Sequence, residues 1–213
     1  MKYDDLVNVL GKQGWFDLPT IVQLSGEHRE SLRVQLHRWC KSEKLLRLRR
    51  GMYAFPERYS GRIINPAELA NKLYTPSYLS SYWALGYYGM IPESVPLFTS
   101  ISSRVPRIFD NHFGVFRYQN IKLSAFFGYQ SVNISDVPVL LAEPEKALLD
   151  LWHLEKGDWS LSRMVEMRFQ GFEIVVPDRL KQYALQYNSK RLQKAVEVWL
   201  KVKEDQCNDE IEL

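Results

Sequence analysis

The sequence predicts an α+β protein in which a small helical module ending in a β-hairpin precedes a larger α+β domain with an antiparallel sheet. Two observations support this prediction. Helical periodicity with clear start and stop signals covers residues 3–42 and is followed at once by a short hairpin pattern. Further along the chain, runs with strand character stand between two groups of helical segments, as is typical of an α+β domain.

The first two helices are predicted from apolar spacing and from residues that favour helix ends. Apolar residues at positions 3, 6, 7 and 10 share one helical face, and Gly11–Gly14 interrupts that helix. Asp17 is a suitable N-cap for a second helix, and Pro19 fits its first turn. The pair Ser25-Gly26 ends this second helix.

A third helix is predicted from about Glu27 to Ser42. One stripe of residues forms its apolar side, namely Leu32, Leu36, Trp39 and Cys40. The opposite side is polar and mostly basic, with Arg29, Glu30, Arg33, His37 and Lys41. Two short helices joined by a tight turn that contains glycine are typical of a helix-turn-helix, whose second helix enters the DNA groove with its N-terminal half foremost.

The segment Leu46–Phe55 has the pattern of a β-hairpin with Arg50-Gly51 at its turn. This turn pairs Arg49 with Met52, Leu48 with Tyr53, Arg47 with Ala54 and Leu46 with Phe55. In that register the large apolar side chains cover the helices, whereas Arg47 and Arg49 lie on the other side. A helix-turn-helix followed by a basic hairpin predicts a winged helix-turn-helix module that binds DNA.

The distribution of charge agrees with DNA binding. The net charge is only +3, but residues 27–50 carry eight Lys or Arg against three Asp or Glu. The segments before and after this window each have one more acidic than basic residue. Such localisation is expected of a nucleic-acid contact surface, although a solvated basic face with no partner is the alternative. The predicted DNA contacts are His28, Arg29, Ser31, Arg33, His37, Arg47, Arg49 and Arg50.

The rest of the chain is predicted to form a second domain. The polar stretch 56–62 is interpreted as a linker between domains of residues 1–57 and 62–204, and the acidic end, residues 205–213, is expected to be disordered. Helices are predicted from Asn65, over Tyr78–Tyr88, from Glu143, over Leu161–Phe169, and as one long helix from Asp178 to about Val202. Strands are predicted over Leu97–Ser102, Val115–Ile121, Ala125–Tyr129 and Val137–Leu141.

The hairpin and two later segments resemble a known family. The sequence LRRGMYAF is similar to the wing of AbiEi-type antitoxins and related predicted transcriptional regulators of viral-defence loci. The segments NPAELANKLYTPSYLSSYWALGYYGMIPE and VPVLLAEPEKALLDL resemble hallmark blocks of that family's C-terminal domain. The similarity covers about residues 4–155, and AEPEKALLDL is its most specific element.

This resemblance implies that the N-terminal winged helix represses the protein's own operon by binding inverted repeats. It also implies a C-terminal domain with antitoxin activity against a nucleotidyltransferase toxin, without a stable toxin complex. The predicted function is therefore that of a transcriptional repressor and antitoxin of a type IV toxin–antitoxin locus in phage defence. The residues carried over as DNA contacts are Arg29, Ser31, Arg33, Arg47, Arg49 and Arg50.

The composition is that of a globular protein, with 46% hydrophobic and 25% charged residues. No apolar run is long enough to cross a bilayer, so no membrane partner is expected. The N-terminus has no signal-peptide pattern, and Cys40 and Cys207 are the two cysteines, which predicts a cytoplasmic protein without a structural disulfide. No metal-binding or phosphate-binding motif is present, and we expect no cofactor and no enzymatic activity.

Two alternatives remain open. A metal-dependent nuclease, or another nucleic-acid enzyme with a fused winged helix, would use the cluster Glu143, Glu145, Lys146, Asp150 and His153. The spacing of this cluster matches no known metal-binding motif. The alternative interpretation is that these residues have a structural role, on a helix that anchors the sheet. The second alternative is a scaffold whose winged helix binds a protein, which the salt dependence of binding would distinguish from DNA binding.

Overall fold

The computed structural model describes residues 1–93 and 95–209, which form an α+β protein with two β-sheets. By their contacts these residues divide into two units. The first consists of Met1–Leu69 with Phe109–Val115, and the second consists of Ala70–Ile108 with the chain from Phe116 onward. The mixture of helices and sheets confirms the predicted α+β class.

The first unit begins with three helices, as predicted. Its elements are α1 (Tyr3–Leu10), a 3-10 helix (Gly11–Gln13), β1 (Trp15–Asp17), α2 (Leu18–Ser25), α3 (Arg29–Lys41), β2 (Leu46–Arg49), β3 (Met52–Ala54) and α4 (Glu57–Ser60). Asp17 caps α2, because its Oδ1 accepts a hydrogen bond from the Thr20 backbone N–H at 3.0 Å. The stretch predicted as a linker contains α4.

One hydrophobic core holds the helices and the small sheet of this unit together. The buried members are Tyr3, Leu6, Leu10, Phe16, Leu18, Ile21, Leu32, Leu36, Leu45, Tyr53 and Phe55. The apolar stripes of all three helices therefore face the same interior, which is the physical reason that amphipathic spacing predicted them correctly.

The sheet of the first unit has the order β1-β3-β2, with antiparallel pairing throughout. The sequence does not predict strand β1, because a strand of three residues is too short to show an alternating pattern. Since β3 lies between two strands, Met52, Tyr53 and Ala54 are all buried rather than alternating. Sequence patterns with a period of two cannot identify such a strand.

The predicted hairpin register is correct next to the turn and wrong beyond it. Arg49 pairs with Met52 as predicted, but Arg47 pairs with Tyr53 and Leu46 pairs with Ala54, with a bulge between Arg47 and Arg49. The extra residue is Leu48, which is buried. The Leu48 carbonyl oxygen accepts a hydrogen bond from Asn111 Nδ2 at 3.1 Å. A residue distant in sequence therefore supplies a hydrogen bond at the bulge, where the pairing between β2 and β3 is interrupted.

From residue 66 onward the chain builds the larger sheet and the remaining helices. The elements are α5 (Pro66–Leu73), β4 (Ser77–Leu79), α6 (Ser81–Tyr87), β5 (Phe98–Ser102), β6 (Arg107–Asn111), β7 (Gly114–Asn120), β8 (Tyr129–Ile134), β9 (Val137–Ala142), α7 (Pro144–Leu154), α8 (Leu161–Glu166), α9 (Pro177–Gln186) and α10 (Lys190–Asp209). Short 3-10 helices cover Leu123–Ala125 and Phe172–Ile174. The acidic end, residues 205–213, was expected to be disordered; this is wrong for residues 205–209, which form the last part of α10, and residues 210–213 lie outside the described residues.

The larger sheet is mixed, so the prediction of an antiparallel sheet is wrong. Its strand order is β6-β7-β5-β4-β9-β8. The β4–β5 and β8–β9 pairs are antiparallel, whereas β4 pairs parallel with β9 and β5 pairs parallel with β7. Both parallel pairs join strands that are not consecutive in the chain, and the local sequence carries no information on the direction of such pairs.

Three further predictions are corrected. Tyr78 lies in β4 and not in a helix, because the chain there is a central strand between β5 and β9. The strand predicted over Ala125–Tyr129 is absent, since a 3-10 helix ends at Ala125 and β8 begins only at Tyr129. The long helix predicted from Asp178 is two helices, because Asn188 adopts a left-handed conformation (φ 51°) between α9 and α10.

The helix α7 lies at the centre of the second unit. Every residue from Pro144 to Trp152 is buried, including the charged ones. A helix that is buried all round must satisfy its polar side chains internally, so its charged residues need partners within the fold.

Candidate nucleic-acid interface

A cleft of about 800 Å³ in the first unit lies between α3 and the β2–β3 hairpin. Basic side chains from both elements line it. They are Arg29, Arg33, His37 and Lys41 from α3, and Arg47, Arg49 and Arg50 from the hairpin. We call this feature the basic cleft. Its lining also includes Asp17, Leu18, Pro19, Cys40, Gly51 and Tyr53.

The helix α3 presents its basic residues at a regular spacing of four positions, from Arg29 to Lys41. Residues four apart on an α-helix lie on the same face, so this series forms one basic stripe. Leu32 and Leu36 are fully buried and fix the rotation of the helix, which turns the stripe toward the hairpin.

The hairpin reaches the other side of the cleft because its turn is tied to α2. Gly51 adopts φ +76°, a left-handed conformation that favours glycine. Its carbonyl oxygen accepts a hydrogen bond from the Leu18 backbone N–H at 2.8 Å, at the start of α2. The bulge at Leu48 lets that apolar side chain reach the interior while Arg47 and Arg49 both line the cleft.

The side chains that line the cleft carry an excess of positive charge. Six Lys or Arg side chains line it, and the single carboxylate in its lining is that of Asp17. That carboxylate is engaged at the start of α2, where it accepts hydrogen bonds from the backbone N–H and the hydroxyl of Thr20. The surplus of cations favours an anionic ligand.

The weakly acidic groups in the cleft do not offset this charge. Burial raises the pKa of the Cys40 thiol above its ordinary value of 9.0, although Arg47 opposes the shift. Burial also raises the pKa of Tyr53, with Cys40 adding to the effect and Arg47 and Arg33 opposing it. Both groups are therefore neutral at neutral pH.

Two arginines of the cleft differ in how they are held. Arg33 Nη1 lies 2.5 Å from Glu30 Oε1, in an ion pair at the surface of α3. Arg49 Nη1 donates to the carbonyl oxygen of Arg50 at 3.2 Å, while its Nε–H is shielded from solvent and has no acceptor in the described part of the chain. A donor in that condition is a candidate for ligand contact.

Not all the predicted contacts lie in the cleft. His28 precedes α3 and makes no capping hydrogen bond with its side chain, and Ser31 is exposed on α3 outside the cleft lining. Conversely, Lys41, Cys40 and Tyr53 line the cleft but were not among the predicted site residues. The position of Lys41 could have been found, since it continues the four-residue series from Arg29.

The alternative cluster on α7 is buried and internally paired. Asp150 Oδ1 accepts from Lys146 Nζ and from the Tyr187 hydroxyl, while Oδ2 accepts from Tyr78 at 3.1 Å and from Ser80 at 2.7 Å. Lys146 Nζ also lies over the Tyr78, Phe127 and Tyr187 rings at 4.7–5.5 Å from their centroids. Burial lowers the pKa of Lys146, and the neighbouring Asp150 opposes that shift.

Two other members of this cluster, Glu145 and Glu143, also have partners within the fold. Glu145 is fully buried; its Oε1 accepts from the Val176 backbone N–H at 2.7 Å, and its Oε2 lies 3.6 Å from Arg179 Nη1. Glu143 accepts from the Tyr183 hydroxyl. Among the described residues, no group of three His, Cys, Asp or Glu is arranged to hold a metal ion. These contacts support the interpretation that the cluster anchors α7 to its neighbours.

No family model matches the sequence, and no curated protein matches it significantly. In residues 1–93 and 95–209, none of the helices combines the length and the apolar character that spanning a membrane requires.

Proposed function

We propose that the protein is a double-stranded DNA-binding transcriptional repressor whose first unit acts as a winged helix-turn-helix. The observation that carries this proposal is the basic cleft. Cations from α3 and from the hairpin converge there on one surface, and the carboxylate in its lining is already engaged. Duplex DNA presents two rows of phosphates with a groove between them, which matches a cationic cleft with a helix along one side.

In this proposal α2 and α3 form the helix-turn-helix and the β2–β3 hairpin forms the wing. The helix α3 enters the major groove, and the wing lies on the flanking backbone. One phosphate ridge then occupies the basic cleft. The charged side chains of the cleft position the protein on the duplex, whereas base edges are read by residues on the outer surface of α3.

The resemblance of the hairpin and of the segments around residues 65–93 and 137–151 to AbiEi-type antitoxins extends the proposal. On that basis the protein binds inverted repeats upstream of its own operon, acts in the cytoplasm, and counters a nucleotidyltransferase toxin without a stable complex. The second unit carries the antitoxin activity. The metal-dependent nuclease is not preferred, because the buried contacts of Lys146, Asp150 and Glu145 account for that cluster structurally.

Footprinting on the protein's own upstream region tests this proposal. We expect a protected site, and binding whose affinity falls steeply as salt is raised. The double substitution Arg49→Ala with Arg50→Ala should lower the slope of log affinity against log salt by about one unit per lost phosphate contact. Lys181→Ala removes an exposed cation of α9 in the second unit and serves as the matched control.

Two results would overturn the proposal in different parts. Wild-type protein that protects no site and binds duplex DNA with no salt dependence would exclude a DNA-binding repressor. An unchanged salt slope in the Arg49 and Arg50 double variant, with Lys181→Ala also unchanged, would exclude the hairpin as a wing.

A further inference from the structure

Val34 is an exposed valine on the outer surface of α3, and the residue has a relative solvent accessibility of 52%. It lies midway in sequence between Leu32 and Leu36, which are both fully buried. Two residues along an α-helix correspond to a rotation of about 200°, so Val34 lies about 160° around the axis from each leucine. Val34 therefore points almost directly away from the core.

The surroundings of Val34 on the helix are polar. Its neighbours one turn before are Glu30 and Ser31, and its neighbours one turn after are His37 and Arg38. Large contiguous apolar patches mark surfaces that bind other proteins, and the neighbours of Val34 on α3 do not form such a patch. Val34 is instead an isolated apolar spot about the size of an isopropyl group, and it suits a ligand that offers one small apolar group among polar ones.

The major groove of DNA presents such a group at thymine, whose C5-methyl lies among hydrogen-bond donors and acceptors. On α3 the stripe formed by Arg29, Arg33, His37 and Lys41 faces the basic cleft and suits phosphates. The outward line that includes Val34 is adjacent to this stripe. When the cleft holds a phosphate ridge, this line is the part of the helix that meets the base edges.

We infer that Val34 is a specificity-determining residue that contacts a thymine C5-methyl group in the major groove. This inference rests on the proposed function, because it requires that α3 enters the groove. It goes further by assigning one side chain to one chemical group of one base. Ser31, on the same outer surface and exposed, leaves room for the base to approach.

The test begins with selection of duplexes from a randomised pool by the wild-type protein. Each thymine of the selected site is then replaced by deoxyuridine, which lacks only the C5-methyl. We expect wild-type affinity to fall about fourfold at one position in each half-site, the effect of one apolar methyl contact. Val34→Ala should bind the thymine duplex about fourfold more weakly and should not distinguish thymine from deoxyuridine.

Control variants separate this role from general effects on the protein. Val9 is exposed on α1, with a relative solvent accessibility of 59%, so Val9→Ala should keep the full thymine preference. Val34→Ile retains an apolar branched side chain and should also keep it. Because Val34 is exposed, its replacement by alanine should leave the unfolding midpoint nearly unchanged.

The outcomes are distinguishable. Wild-type binding that is unaffected by deoxyuridine at every thymine would overturn the inference and leave the proposed function standing. Equal discrimination by Val34→Ala and wild type would also overturn it, since another residue would then read the methyl. Selection of no duplex would overturn the proposed function itself.

Discussion

Lys146 and Asp150, one turn apart on α7, form an ion pair in which both side chains are fully buried. Asp150 also accepts hydrogen bonds from Tyr78, Ser80 and Tyr187, so one carboxylate links the central strand β4 to the segment between α9 and α10. Burying two charges is costly, and the arrangement is tolerated because every charged atom has a partner.

Replacing Lys146 by methionine should strongly destabilise the protein, because it leaves the Asp150 carboxylate buried without its cation. We expect a loss of about 3–5 kcal/mol in the free energy of unfolding, measured by urea denaturation. Replacing both residues, with Lys146→Met and Asp150→Leu together, should recover part of this loss, since neither member of the pair is then left buried without its partner.

The matched control is Arg168→Ala, which breaks an ion pair with Glu93. The Arg168 side chain is 69% exposed and the Glu93 side chain is 57% exposed. Exposed pairs contribute little, so we expect a change below about 1 kcal/mol. If Lys146→Met and Arg168→Ala lowered the free energy of unfolding by similar amounts, the buried pair would not be more important for stability than the exposed one.

His153 should make the stability of the protein depend on pH. Burial lowers the pKa of His153 below its ordinary value of 6.5; Asp150 opposes the shift, while Arg191, Lys146 and Lys122 add to it. In the window just below 6.5 the unfolded chain binds the proton more readily than the folded protein does. Stability therefore falls as the pH is lowered through this window and is regained as it rises.

Urea unfolding at about pH 5.5 and about pH 7.5 measures this effect in wild type and in His153→Gln. The gain in unfolding free energy between the two pH values should be smaller in the variant, which has no imidazole to titrate. Identical gains in the two proteins would show that His153 does not contribute to the pH dependence.

Glu30 should weaken the attraction of α3 for nonspecific DNA. Its carboxylate is 77% exposed and pairs with Arg33, a residue of the basic cleft. Glu30→Gln removes a negative charge from this surface and frees Arg33 to contact phosphate. At low salt we expect about threefold tighter binding of a random-sequence duplex, with the difference shrinking as salt is raised.

Fluorescence anisotropy with a labelled duplex measures the Glu30 effect. Glu166→Gln, which removes an exposed carboxylate from α8 in the second unit, is the control and should change affinity far less. If both variants bind equally more tightly, the gain reflects net charge and not the position of Glu30.

Cys40 should report whether DNA occupies the basic cleft. Because burial raises the pKa of its thiol, we expect slow alkylation by iodoacetamide at neutral pH and a rate that still increases as the pH passes 9.0. Added duplex DNA should slow the reaction further, since Cys40 lines the cleft. The experiment uses a Cys207→Ser background so that one thiol is measured, with mass spectrometry as the readout.

The Arg49→Ala and Arg50→Ala double variant provides the control for Cys40 protection. At duplex concentrations that this variant does not bind, its alkylation rate should be the same with and without DNA. Equal wild-type rates with and without saturating duplex would place the DNA outside the cleft.

The sequence by itself determined the elements whose signals are local. The helices α1, α2 and α3 follow from apolar spacing and from the Asp17 cap, because a helix forms its hydrogen bonds within one segment and turns one stripe toward the core. The turn at Gly51 was also predictable, because glycine favours the left-handed conformation that Gly51 adopts there. The basic stripe of α3 was predictable as well, because residues four positions apart lie on the same face of a helix.

Only the tertiary structure decided the features that depend on partners distant in the chain. The register beyond Arg49 shifts because Leu48 is buried and Asn111 satisfies its carbonyl, and the sheet is mixed because β4 pairs with β9. Likewise, Lys146 and Asp150 of α7 can be buried because the Tyr187 hydroxyl, 37 residues away from Asp150, forms hydrogen bonds with both. Strand pairing and the burial of charge are set by contacts between segments, and no single segment contains the information that selects them.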